Sequence, residues 1–143
     1  MKDRKQFLLV EDNETDAAFI AVAFKNSRHE LRVVNDGQEA IDYLSGKRVY
    51  ADRRKFPLPQ VILLDLNMPK VNGFEFLKWL RYKSLGNLSL LPVVIMSTAA
   101  EPADLKRAHE LGVSSFLTKP VSWDEFKERM KALNIFWGPP PAR

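Results

Sequence analysis

Val61, Ile62, Leu63 and Leu64 are four consecutive apolar residues closed by an acid, Asp65. They do not alternate with polar residues, so a strand here must be covered on both faces, the condition of a central strand in a parallel sheet. Asn67, Met68 and Pro69 then break the pattern. In open α/β sheets, chemistry gathers beyond the carboxyl ends of such strands, which makes Asp65 the first candidate for function.

The rest of the chain alternates between short apolar runs and helical spacing. Residues 6–10 predict a strand running into Glu11, Asp12, Asn13 and Glu14. Ala17, Ile20, Ala21 and Phe24 have the i, i+3, i+4, i+7 spacing of a helix with one buried face, ended by Asn26 and Ser27. Residues 31–34 predict a second strand; Asp36 and Glu39 then form a variant capping box ahead of Ala40, Ile41 and Leu44. Gly73 opens a helix with Phe76, Leu77 and Leu80 inward, broken by Gly86 and Asn87. Pro92 introduces a strand over 93–96 that ends at Ser97 and Thr98. Leu105, Ala108 and Leu111 predict the inner face of the next helix, with Gly112 as its left-handed stop. Residues 114–118 predict the fifth strand, before Lys119 and Pro120. Ser122 and Glu125 form a capping box for a last helix that buries Phe126, Met130 and Leu133.

Five strands alternating with five helices predict an α/β fold, a doubly wound five-stranded parallel sheet of flavodoxin-like order 2-1-3-4-5. One domain is expected over residues 1–138, with the proline-rich 139–143 as a flexible tail.

Composition narrows the function classes. No run approaches the ~20 apolar residues of a membrane span, and the run from Phe7 to Val10 is too short for a signal peptide. The chain has no cysteine, which excludes disulfides and thiolate metal sites, and its two isolated histidines make a poor zinc site. A cytoplasmic protein without a membrane partner is expected. The net charge of +4 invites a nucleic-acid reading. Much of the excess sits in Lys47, Arg48, Arg53, Arg54 and Lys55, within a polar connection over residues 45–59. No helix-turn-helix or aromatic-basic strand accompanies it, so it reads as a solvated basic loop and no nucleic-acid partner is expected.

The strand order makes a geometric claim. Glu11 and Asp12, after strand one, should lie beside Asp65, after strand three. Three carboxylates in one crevice repel each other, and a hard divalent cation with oxygen ligands, Mg2+ above all, relieves that cost. Ser97 ends strand four with a hydroxyl and Lys119 ends strand five with an ammonium. A metal, an ammonium and a hydroxyl around one carboxylate are what phosphoryl transfer requires.

With these residues in hand, the chain resembles the receiver domains of two-component response regulators over nearly its whole length. The pattern is an acidic pair (Glu11, Asp12), a phosphoacceptor (Asp65), a proline and a glycine (Pro69, Gly73), a switch hydroxyl (Ser97) and a Lys-Pro pair (Lys119, Pro120). The resemblance implies that Asp65 attacks the phosphorus of a phosphohistidine on a sensor histidine kinase. It implies Mg2+ held by Asp12, Asp65 and the backbone oxygen of Asn67, with Glu11 acting through water. Lys119 and Ser97 would bind phosphoryl oxygens, Phe116 would be the aromatic switch partner of Ser97, and the Lys119–Pro120 bond would be cis. No other enzyme activity is implied beyond the chain's own phosphorylation and dephosphorylation. Thr98 departs from the small residue usual beside the switch hydroxyl. Asn67 and Ala99 fall at the positions that tune dephosphorylation, and Ala99, with no acid or amide to orient water, predicts a long-lived phosphoryl group.

The basic connection and the ending Phe136-Trp137 resemble, more narrowly, single-domain regulators linked to bacterial and cyanobacterial phytochrome kinases. The two aromatics fit either packing over the end of the last helix or a partner surface. A homodimer through the fourth helix, fifth strand and last helix is what the family implies, and output is expected through protein contacts or onward phosphotransfer. Three rivals fit less well. A dehalogenase-type phosphatase needs an acid where Asn67 stands; a degenerate receiver would lack the intact acids and lysine. A flavodoxin-type cofactor site would not have an acidic turn after strand one.

Overall fold

The structure, a computed structural model, describes residues 4–66, 68, 72–98 and 101–138. Five parallel strands, β1 (Gln6–Val10), β2 (Glu30–Val34), β3 (Val61–Leu64), β4 (Val93–Ser97) and β5 (Ser115–Thr118), form one sheet. Their order is 2-1-3-4-5, as the alternation of patterns predicts. The register pairs Val10 with both Val34 and Leu64, so β1 and β3 end level with each other. The helices between them are α1 (Glu14–Lys25), α2 (Gly37–Ser45), α3 (Gly73–Tyr82), α4 (Pro102–Glu110) and α5 (Trp123–Ala132).

The unbroken apolar run of β3 now has its reason. Ile62 and Leu64 point with Leu8, Val10, Val93 and Ile95 into a core covered by α2, α3 and α4. Val61 and Leu63 point with Phe7, Leu9, Val94 and Met96 into a second core under α1 and α5. Successive residues alternate between two buried faces, so neither face tolerates a polar residue.

The helix starts follow local chemistry. Asn13 and Asp36 each accept a hydrogen bond from the backbone N–H three residues on, and Asn72 with Glu75 closes a full capping box. Gly112 ends α4 with φ of 74°. Several expected details differ. α3 ends at Tyr82, ahead of Gly86, and a short 3-10 helix over Gly86–Leu90 fills the connection. Leu105 is 44% exposed instead of buried. It lies at a surface cleft between α4, β5 and α5 beside Phe116, His109 and Arg129, so the core side of α4 is carried by Ala108 and, just past its end, Leu111.

The basic connection is also more ordered than a solvated loop. Lys47, Arg48, Arg54 and Lys55 are exposed, but Arg53 turns inward. Its Nη1 and Nη2 donate to the carbonyls of Tyr43 (2.8 Å) and Leu44 (3.0 Å) in the last turn of α2, where carbonyls run short of helical donors. Tyr43, Tyr50 and Phe56 pack ring against ring beneath it. No helix among the described residues is long and apolar enough to cross a membrane.

Candidate phosphoryl-transfer site

Four strand ends converge at the carboxyl edge of the sheet. Glu11 and Asp12 follow β1, Asp65 follows β3, Ser97 closes β4 and Lys119 follows β5. Glu11, Asp12 and Asp65 each offer a carboxylate oxygen within 4.8 Å of the others. Glu11 and Asp65 are buried, whereas Asp12 is exposed at the mouth.

Backbone pairing holds Asp65 in place. Its N–H donates to the Val10 carbonyl at 3.1 Å, extending the β1–β3 ladder by one residue. Behind it the start of α3 comes very close. A Cβ on Gly73 would stand 2.6 Å from the Leu66 Cα and 2.9 Å from the Asp65 carbonyl oxygen, so only glycine fits there.

Ser97, fully buried, lies with its Oγ 3.5 Å from Asp65 Oδ1, while Thr98 is exposed. Lys119 Nζ pairs with Glu11 Oε1, sits 2.9 Å from Asp16 Oδ2 and stands 3.6 Å from Asp65 Oδ2. The Lys119–Pro120 peptide is cis. Phe116 is half-buried against the α2–α3 core. Asn67, Pro69 and Ala99 lie outside the described residues, as does the tail over 139–143.

Electrostatics at this edge are unbalanced. Burial pushes the Glu11 carboxyl up to about 7, with the neighbouring Asp65 adding to the rise and the hydrogen bond to Lys119 opposing it. Burial works against the Lys119 ammonium, but hydrogen bonds to Glu11 and Asp16 and the charge of Asp65 outweigh it and hold its pKa above the ordinary value. The oxygen-only acid cluster fits a hard divalent cation, whose charge offsets the repulsion among the acids.

Asp16 is the member of this cluster that sequence reasoning missed. Its position, three residues after the cap Asn13, reads as an ordinary helix-start acid, and nothing local announces a partner 103 residues away.

Residues 7–131 match the family described as Response regulator receiver domain. A probable methanogenesis regulatory protein, FilR2 of Methanothrix harundinacea, is 36% identical, over 91% of this chain and 81% of its own. Response regulator Rcp1 of Synechocystis is 33% identical over 93% of this chain and 88% of its own. The manganese-bound structure of Rcp1 superposes with a TM-score of 0.76, covering 96% of this chain and 99% of that one. The phosphorylated cyanobacterial phytochrome response regulator RcpA superposes with a TM-score of 0.77 at 37% identity, covering 94% of both chains. The chain therefore belongs to the response regulator receiver domain family and is a receiver-domain response regulator of two-component signalling.

Proposed function

We propose that Asp65 is the phosphoacceptor of this regulator and receives a phosphoryl group from a sensor histidine kinase. The observation that carries the reading is the convergence of Asp65 with two acids, the Ser97 hydroxyl and the Lys119 ammonium at one strand-end crevice. An Asp65 oxygen attacks the phosphorus of a phosphohistidine; the new O–P bond forms as the N–P bond breaks and the imidazole leaves. Lys119 and Ser97 flank Asp65 and would supply a cation and a hydroxyl donor for phosphoryl oxygens. Asp12, Asp65 and the backbone oxygen of Asn67 would hold Mg2+, with Glu11 through water; when bound, the metal neutralises charge shared by carboxylate and phosphoryl oxygens.

Ser97 and Phe116 form the proposed switch. A phosphoryl group that draws the Ser97 hydroxyl toward it vacates space into which the Phe116 ring turns. The half-buried ring and the exposed Leu105 beside it support an output surface on α4, β5 and α5, through which a second copy of the chain would pair. Beryllofluoride should shift the NMR resonances of Phe116, and unchanged resonances there would count against the switch. The phytochrome regulators among the similar structures support a bacterial phytochrome as the kinase, in the cytoplasm.

Intact-mass measurement after acetyl phosphate treatment tests the function. One phosphoryl group should be gained with Mg2+ and none by Asp65→Asn; labelling of that variant at the normal rate would overturn the assignment.

A further inference from the structure

Asn13-x-x-Asp16 has the spacing of a capping box, and half of one is built: Asn13 Oδ1 accepts from the Asp16 N–H at 2.9 Å. In a complete box the acid turns back to the N–H of the capping residue. The Asp16 carboxylate does not. The Asn13 N–H donates to Glu11 Oε2 at 3.3 Å instead, and Asp16 Oδ2 reaches across to Lys119 Nζ at 2.9 Å. The first turn of α1 thus grips the ammonium at the end of β5.

An ammonium has three N–H donors. Glu11 and Asp16 accept from Lys119, and Asp65 Oδ2 stands off at 3.6 Å, beyond the roughly 2.7–2.9 Å of a charge-assisted hydrogen bond. We propose that Asp16 is a positioning residue that, with Glu11, draws the Lys119 ammonium out of direct hydrogen bonding with Asp65 in the unphosphorylated protein, so that it pairs with Asp65 only at 3.6 Å and competes less with a divalent cation for the Asp65 oxygens. The inference rests on the reading of Asp65 as phosphoacceptor.

Removing the Asp16 charge leaves Asp65 as the next anion within reach of Lys119, about 1 Å short of a direct hydrogen bond. An ammonium seated on Asp65 competes with the cation for the same oxygens. Asp16 is 39% exposed, so water screens one side of its pair and the effect is moderate.

The test compares Asp16→Asn with Glu14→Gln. Glu14 is an exposed acid in the same helical turn and controls for long-range charge and for the helix dipole. Calorimetric Mg2+ titration should show an affinity loss of roughly fivefold in Asp16→Asn and less than about twofold in Glu14→Gln. Acetyl phosphate labelling should slow in proportion at low Mg2+ and recover at saturation. In the metal-free protein, the Lys119 ammonium resonance should move in Asp16→Asn alone. Asp16→Glu keeps the charge and should restore affinity. Equal Mg2+ affinity in Asp16→Asn and Glu14→Gln, or a loss that Asp16→Glu fails to restore, overturns the positioning role. A wild-type chain that gains no phosphoryl group overturns the phosphoacceptor reading instead, which keeps the two failures distinct.

Discussion

The two ends of the sheet solve opposite problems. At the amino-terminal end, backbone, side-chain and ring contacts tie the chain together. The Lys5 N–H donates to His29 Nδ1 at 3.0 Å, so Nε2 carries the proton and donates to the Phe136 carbonyl at 2.7 Å. The Arg28 N–H donates to the Gly138 carbonyl, and Arg28 lies over the Phe136 ring. Trp137 meets Phe7, Phe24 and Phe126 edge to face at 4.8–5.8 Å. Farther along the same end, Arg81 donates to the carbonyls of Ser89, Leu91, Leu111 and Gly112, tying α3 to the end of α4. At the carboxyl end, among the described residues, Glu11, Asp12, Asp16 and Asp65 gather around the Lys119 ammonium. One end is densely bonded and holds the fold; among the described residues the other carries an excess of acid, which a bound divalent cation would relieve.

The sharpest way to break this comparison is Trp137→Ala. Loss of a ring packed against four others should cost about 3 kcal/mol in urea unfolding, with the folded fraction still phosphorylated at the wild-type rate. A folded variant that no longer takes a phosphoryl group would show that the two ends are not separable. Arg81→Ala should come next, at about 2 kcal/mol, because a charged donor serving several carbonyls is removed at once. Arg81→Lys should recover only part of this, since an ammonium cannot span four carbonyls on two segments.

The packing of Trp137 also marks where sequence reasoning reached and where it stopped. Strand order and the strand-end residues were legible because burial on two faces and a following polar residue are local signals. The destination of Trp137 was not: the same two aromatics fit a partner surface or internal packing, and only the fold brings β1, α1 and α5 around the ring. Packing there leaves Trp137 little to offer a dimer, while Phe136 remains 62% exposed. Leu105 misled for a related reason, since a helical spacing identifies a face but not what covers it. Asp16 and Arg53 were missed because each resembles a common surface role, a helix-start acid and a loop cation. Their partners, Lys119 and the carbonyls ending α2, are set by tertiary structure.

A smaller effect sharpens the comparison at the other end. In the metal-free protein Glu11 ionises at about 7 when folded against 4.5 as the ordinary value. The folded state therefore binds more protons between those pH values, so the Glu11 contribution is full below about 4.5 and is lost as pH rises through about 7. The unfolding free energy from urea titrations should fall across that window, by an amount on the order of 1 kcal/mol. Glu11→Gln should flatten the decline, and Mg2+ should do the same by favouring the ionised acid. An unchanged slope in Glu11→Gln would remove Glu11 as its cause.

The most direct measurement is borohydride trapping of the phosphorylated chain followed by peptide mass spectrometry. Hydride reduces an aspartyl phosphate to homoserine and so marks the acceptor itself. Homoserine at position 65, dependent on Mg2+ and found at no other aspartate, is the predicted result. Homoserine at Asp12 or Asp16, or a phosphorylated chain with Asp65 unmodified, would contradict it.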